Sequence, residues 1–418
     1  MKIFKFGGAS TKDAQSIKNI VHILKKEGTT SCLLVVSAMG KMTNAFENIV
    51  NAYVNNNSEK VSKSIDFVTK FHIRICNNLF PTNNVVHQKL NVFIGEMIRF
   101  LEENKSNNYD YLYDQIVCFG ELISTTILNS YLNYIGIENN WMDVRNLIKT
   151  DSNYRDATVN WKETADLINA KIDRSKLNVV QGFIGRDAEG FTTTLGREGS
   201  DYTAGIFAYC LEANAVTIWK DVQGVLNGDP KVFNDTHLLK QISYEETIEM
   251  AFYGASVIHP KTIQPLQRKG IPLHVRSFID ANSKGTIISS GAIINPVVPC
   301  FIVKKNQVLI SISTKDFSFM VENNISDIFK LLHHYRLSVN LIQNSAISFS
   351  VCVDNKFNHF DHFFERLQSS FKVSFKKGID LYTVRHFTND SLKNIYNLGN
   401  PLLTQINKET AQIIIQKK

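Results

Sequence analysis

Five short segments carry side chains whose types and spacing suit work on an anionic substrate. Lys5-Phe6-Gly7-Gly8-Ala9-Ser10 places a lysine at the end of an apolar run and a glycine pair before a helix start. Backbone N–H groups at such a turn, with the helix dipole behind them, suit phosphate oxygens, and Lys5 can neutralise a phosphoryl group in transit. The segment is neither a Walker A loop nor G-x-G-x-x-G, and two glycines after a strand also make an ordinary tight turn. Ser37-Ala38-Met39-Gly40-Lys41-Met42-Thr43-Asn44 sets hydroxyls on a loop of small residues, which suits either a ligand at a strand end or a helix-capping turn. In Phe119-Gly120-Glu121 a carboxylate follows a glycine, where it also complements the first turn of a helix. Leu195-Gly196-Arg197-Glu198-Gly199-Ser200-Asp201-Tyr202 brings together a guanidinium fork for a carboxylate and an acid able to orient a lysine or a metal. Finally, Lys220 to Lys231 is a Gly/Asp/Pro loop whose two lysines, Asp221 and Asp229 exceed what turn chemistry requires, as on the nucleotide side of a site.

The elements that must position these residues alternate in type. Strands are expected at Lys2–Phe6, Cys32–Ser37, Gln115–Phe119, Leu177–Ile184, Phe191–Leu195, Ala215–Trp219 and Ile271–Phe278. Helices are expected after Gly8, with Ser10 and Asp13 as a capping pair, after Gly40, over Val61–Asn77 and Val85–Glu103, after Glu121, and near Tyr202–Leu211 and Tyr244–Phe252. The alternation implies an α/β fold: a largely parallel sheet covered by helices on both faces. Gly, Ser and Pro without periodicity between Gly285 and Pro299 suggest a boundary, giving a first domain over 1–290 and a second region over 300–418. Strands at Val308–Ile312, Val339–Ile342, Ile347–Val353 and Phe371–Phe375, with two helical stripes between them, make a βαββαβ order, an α+β ferredoxin-like unit. Ile379–Phe387 and Thr410–Ile415 add strands of a second unit, whose helical pattern is weak and which is expected to be truncated.

Composition excludes several classes. At 44% hydrophobic and 20% charged residues the chain is of globular type, and no apolar run reaches the ~20 residues of a membrane span. With no signal-peptide core after Met1, a soluble cytoplasmic protein without a membrane partner is expected. Cys32, Cys76, Cys118, Cys210, Cys300 and Cys352 form no C-x-x-C, so neither a zinc site nor a redox dithiol is expected. The net charge of +7 is spread along the chain, which argues against a nucleic-acid partner.

The ordered set Lys-Phe-Gly-Gly, Ser-Ala before Thr-Asn, Gly-Glu-Leu, Gly-Arg-x-Gly-Ser-Asp, Asp-Val-x-Gly with Asp-Pro, and Phe-Tyr-Gly-Ala before His-Pro resembles the aspartate kinases of the amino-acid-kinase family, with an ACT-like regulatory tail. The resemblance implies transfer of the ATP γ-phosphoryl group, with Mg²⁺, to the side-chain carboxylate of L-aspartate, by a homodimer joined through the ACT-like region. It implies Lys5 and Asp201 as catalytic residues and Ser37, Thr43, Glu121, Arg197 and Ser200 as the aspartate site. On the nucleotide side it implies Gly7, Gly8 and Ser10, then Lys220 and Asp221, and then Leu226, Lys231 and Ser256. The chain departs from the family pattern at Ala9, Glu198, Lys220 and Ser256, where Thr, Gly, Thr and a nucleotide-contacting Lys are common; Lys220 and Lys261 are candidates to supply the missing charge. In the tail, Asn340 stands where lysine-inhibited relatives often carry Asp. Two alternatives remain: another amino-acid kinase, such as acetylglutamate or glutamate 5-kinase, and a non-catalytic amino-acid sensor.

Overall fold

The computed structural model describes residues 1–81, 85–255, 258–316 and 318–417. They form two compact units, one of Met1–Val225, Leu238–Ile248 and Val257–Ile294, the other of Leu226–His237, Glu249–Ser256 and Asn295–Lys418.

Ten strands belong to the first unit: β1 Lys2–Phe6, β2 Cys32–Val36, β3 Asn140–Met142, β4 Leu177–Gln181, β5 Ile184–Arg186, β6 Thr192–Thr194, β7 Ala215–Lys220, β8 Gln241–Ser243, β9 Leu273–Ser277 and β10 Thr286–Ser289. Eight of them form one sheet in the order β3-β4-β2-β1-β7-β9-β10-β8, parallel except where β10 runs against β9, and β5 and β6 pair as a separate hairpin. The helices are α1 Ala14–Glu27, α2 Met42–Val54, α3 Ser58–Leu79, α4 Val85–Glu103, α5 Tyr109–Tyr134, α6 Trp161–Lys171, α7 Gly199–Leu211, α8 Tyr244–Tyr253, whose residues from Glu249 on belong to the second unit, and α9 Pro260–Lys269. Every residue of β2 and β4 is buried, as the unbroken apolar runs of a sheet covered on both faces require. Helix α1 turns Ile17, Ile20, Val21 and Leu24 inward. Its cap is Asp13, whose carboxylate accepts from the Ser16 N–H at 2.7 Å. Ser10 instead ends a 3₁₀ turn, and its hydroxyl donates to the Trp219 carbonyl at 3.3 Å.

The strand expected at Gln115–Phe119 is the middle of α5. Four consecutive apolar residues, Ile116 to Phe119, cannot distinguish a buried strand from a helix surrounded by core; length decides, and buried residues recur from Leu112 to Leu132. Gly120 is there for packing rather than for a turn, since a Cβ would lie 3.0 Å from Ala38 Cβ and 3.3 Å from the Phe46 ring. Glu121 therefore sits mid-helix and fully enclosed instead of in a first turn.

In the second unit the strands β11 Cys300–Ser313, β12 Ser338–Asn344, β13 Ser348–Asp354, β14 Lys372–Arg385, β15 Gly399–Ile406 and β16 Thr410–Lys417 make one antiparallel sheet, ordered β12-β13-β11-β14-β16-β15. Its helices are α10 Glu322–His334, α11 Phe360–Gln368 and α12 Asn389–Tyr396. The C-terminal half of β11, then α10, β12, β13, α11 and the start of β14, form the expected βαββαβ unit over a core including Ile310, Ile328, Phe349, Phe360 and Phe363. The start of β11, the end of β14, α12, β15 and β16 form a second half beside it, so the two segments expected at Phe371–Phe375 and Ile379–Phe387 are one strand. β15 escaped the sequence reading because Pro401 interrupts it; proline is tolerated here on an edge strand, beside a register shift between Pro401 and Leu403. Asn340 is held from both sides: its Oδ1 accepts from Lys304 Nζ at 2.7 Å, and its Nδ2 donates to Gln307 Oε1 at 2.7 Å.

Two loops at the ends of β1 and β2 are stitched together by backbone. Ser37 N–H donates to the Phe6 carbonyl at 3.1 Å and Gly40 N–H to the Gly8 carbonyl at 2.9 Å. A Cβ on Gly8 would run into the Gly40 carbonyl, which is backbone and cannot rotate away. Gly8→Ala should therefore cost about 1–3 kcal/mol of stability, the usual scale of overpacking, measured as a lower urea midpoint at unchanged slope.

Candidate active site

In the large sheet, β2 and β4 lie on one side of β1 while β7 and β9 lie on the other, so the order reverses between β1 and β7. Open α/β sheets bind ligands beyond the carboxyl ends of strands at such a point, because the two sets of loops diverge there. A cleft of about 540 Å³ occupies the position. Lys5 and Gly8 line it from β1 and its loop, Ser37, Ala38, Gly40 and Thr43 from the segment after β2, and Tyr113 and Glu121 from α5. Phe183, residues 196–201 and Lys220 add to the wall.

The centre of charge is Asp201, buried in the first turn of α7. Lys5 Nζ lies 2.5 Å from its Oδ1 and Lys220 Nζ 3.7 Å from its Oδ2. Burial alone would raise the Asp201 pKa, but the Lys5 and Lys220 ammoniums outweigh it and hold the carboxyl below its ordinary value. The backbone is shaped to bring α7 close. Glu198 precedes it in the left-handed region at φ 54, with its carboxylate accepting from the His259 N–H at 2.9 Å. Gly182 leaves the space Ser200 fills, since a Cβ there would lie 2.5 Å from the serine Cβ and Oγ.

Among the described residues, Glu121 and Arg197 both keep polar atoms of the cleft open. Glu121 Oε1 accepts from the Ala38 N–H at 3.3 Å, while its buried Oε2 has no partner among the described residues. Burial pushes its carboxyl up to about 8, against the smaller opposing effect of that hydrogen bond. Arg197 is exposed and makes no hydrogen bond or ion pair within 4 Å among the described residues. An open carboxylate oxygen, an uncommitted guanidinium and a lysine pair in one cleft complement a ligand with an ammonium, a carboxylate and a nearby phosphate.

Lys5, Gly8, Ser37, Thr43, Glu121, Arg197, Ser200, Asp201 and Lys220 of the expected set thus share one cleft. Gly7 lies beside it, a Cβ there being 3.3 Å from Lys5 Nζ, while Ser10 is committed to Trp219 and Asp221 is exposed on the loop after β7. Leu226 and Lys231 belong to the second unit, where Asp229 accepts from the Lys231 N–H at 2.9 Å. Ser256 lies outside the described residues. Of the two candidates for its missing charge, Lys220 faces the cleft, whereas Lys261 is paired with Asp156.

Arg155 was not singled out from the sequence, yet it lines the cleft, stacked 4.3 Å from the Tyr113 ring centroid and reaching Glu47 at 3.6 Å. Its N–H donates to buried Asp114 at 3.0 Å, an anchor also holding Thr194. An arginine in an irregular polar loop carries no spacing signal that could have marked it. Among the described residues no group of three or more His, Cys, Asp or Glu is placed to hold a metal ion.

A family model described as the amino acid kinase family matches residues 1–277. The chain belongs to the amino acid kinase family. Among relatives of this amino acid kinase, lysine-sensitive aspartokinase 3 of Escherichia coli (strain K12) is 29% identical over 357 residues, 84% of this chain and 78% of that one. Aspartokinase 1, chloroplastic, of Arabidopsis thaliana is 29% identical over 401 residues, 90% of this chain and 68% of that one. The bifunctional aspartokinase/homoserine dehydrogenase of Buchnera aphidicola is 32% identical over 306 residues, and the match spans only 36% of its length. Among solved structures, that of E. coli aspartokinase III in complex with aspartate and ADP superposes with a TM-score of 0.83 at 25% identity, covering 99% of this chain and 96% of that one.

Glu121 has a measurable consequence for stability. Because its folded pKa is raised from 4.5 to about 8, the folded state retains a proton that the unfolded state releases, so stability falls as pH rises across that window. Glu121→Gln removes the ionisation and should raise the unfolding free energy of the ligand-free protein by about 1–3 kcal/mol at pH 8, with the gain shrinking towards pH 4. Urea unfolding at the two pH values measures the difference.

Proposed function

We propose that this amino acid kinase transfers the γ-phosphoryl group of Mg-ATP to the side-chain carboxylate of L-aspartate, giving 4-phospho-L-aspartate and ADP, the first step towards lysine, threonine and methionine. The observation that carries the reading is the cleft itself, where buried Asp201 with Lys5 and Lys220 stands beside the open Glu121 oxygen and uncommitted Arg197. The relatives' names and the aspartate and ADP of the E. coli structure support the choice of substrates.

In this reading Arg197 grips the α-carboxylate, Glu121 accepts from the α-ammonium, and Ser37, Thr43 and Ser200 hydrogen-bond the amino acid. A side-chain carboxylate oxygen forms the new bond to the γ-phosphorus as the bond to the β–γ bridging oxygen breaks, leaving that oxygen on ADP. No general base is required, because the nucleophile is ionised near pH 7. Bound with the nucleotide as Mg-ATP, the cation would supply charge neutralisation at the phosphates. Lys5 neutralises the group in transit, and Asp201 fixes the direction of its ammonium. The Gly7-Gly8 backbone and the Ser10 turn face the phosphates, and Lys220 with Asp221 contributes on the nucleotide side.

ADP release with Mg-ATP and a panel of amino acids tests the assignment: aspartate should be the substrate, and another acceptor would replace it. Arg197→Ala should lose about 30-fold to several thousand-fold in kcat/KM for aspartate, the scale of breaking a desolvated charge pair, and a loss below about threefold would refute the role. In the same assay, Glu121 must ionise to accept an ammonium. Given its value of about 8, the KM for aspartate should rise on acidification from pH 8 to 6 by up to about tenfold per pH unit, and a flat profile would count against it.

The edge strands β12 and β15 leave two ladders open to pairing, which supports a homodimer joined through the second unit. Asn340 is neutral and engaged by both Lys304 and Gln307, so an effector ammonium finds no free acid there. Weak or absent lysine inhibition follows. Half-inhibition of aspartate-dependent ADP release well below millimolar lysine would contradict it.

A further inference from the structure

A second cavity in the first unit, of about 740 Å³, lies on the other side of Gly40 and has no part in the chemistry above. Helix α3 supplies one wall with Phe67, Lys70, Phe71 and Arg74, spaced i, i+3, i+4 and i+7 and so presented on one face. The face α3 buries is a different one, carried by Val68, His72, Ile75, Cys76 and Leu79. Phe67 is 57% exposed, and the Phe71 ring reaches over the loop so that a Cβ on Gly40 would be 3.6 Å from it. Lys12 and Lys41 close the opposite side and Met42 lines the floor.

The lining holds four cations, two phenyl rings and no carboxylate. Lys70 has a partner in Asp66 at 2.7 Å; Lys12, Lys41 and Arg74 have no ion-pair partner within 4 Å among the described residues. The Arg74 guanidinium stands 5.8 Å from the Phe71 ring centroid, leaving its fork available for a planar anion. Leaving Phe67 in water and Phe71 only partly covered forgoes burial free energy, and gathering like charges costs more; a ligand with an apolar body and an anionic head offsets both. The size suits a small organic molecule rather than a bare ion.

We propose that this trough between α3 and the Gly40 loop is a binding site for a small amphipathic anion, an aryl or acyl carboxylate or phosphate, with the apolar body between Phe67 and Phe71 and the anion on Arg74 and the lysines. The site is independent of the reading given to the catalytic cleft. Titration calorimetry of the full chain with 1-naphthyl phosphate, in excess ADP and aspartate to fill the cleft, should give one site. Its affinity should fall at least tenfold in Arg74→Gln and in Phe67→Ser, and on the unaltered chain 1-naphthol and inorganic phosphate should each bind at least tenfold more weakly. Both substituted side chains are exposed, and unchanged unfolding midpoints verify the variants. Absence of binding at millimolar probe, or equal affinity in the unaltered chain and both variants, would overturn the proposal.

Discussion

A carboxylate taken out of water without a partner is too costly to keep ionised, and the large sheet is arranged so that Asp201 has two. Residues Lys5 and Ile218 are register partners on neighbouring parallel strands, and Lys220 lies two residues beyond Ile218, so both lysines project to the same face. Phe6 and Trp219, the next register pair, project to the other face and stack with centroids 6.2 Å apart. One side of the β1–β7 junction is thereby charged and the other aromatic. The charged side coincides with the point where the strand order reverses and an opening exists.

The loop that delivers Asp201 holds an unfavourable backbone. Glu198 is an L-residue in the left-handed region, where steric crowding of Cβ costs about 1–2 kcal/mol. Its bond from the His259 N–H ties the loop to the start of α9, where Lys261 is in turn paired with Asp156 of the segment before α6. Strain of this kind persists only where the surroundings over-determine it, and it lies one residue from the glycine that opens α7.

Much of this was legible in the chain. Parallel strands announce themselves as unbroken apolar runs; Lys5 stands near the end of the first of them, and the glycine-framed segment after β6 carried Arg197 and Asp201 in recognisable order. Gly120 misled because glycine has two uses, turning a chain and admitting a neighbour, and sequence does not separate them; α5 uses the second. Arg155 was invisible because its role comes from a loop folded onto Tyr113 and Asp114, contacts made across about forty residues of chain. The trough beside Gly40 was equally hidden, since an i, i+3, i+4, i+7 pattern of Phe, Lys, Phe and Arg on α3 resembles any amphipathic helix until the buried face is known to be another.

The long strands β11 and β14 pass through both halves of the second sheet, and this orders events during synthesis. Within the sheet, the opening residues of β11, Cys300 to Lys304, pair with Leu381 to Arg385, about eighty residues downstream. The first half can close on its own contacts once residue 376 is made, whereas the second must wait with an exposed apolar edge until the end of β14 and then β16 arrive. Contacts so distant in sequence are slow to form, so one side of this sheet matures well after the other on a chain still being translated.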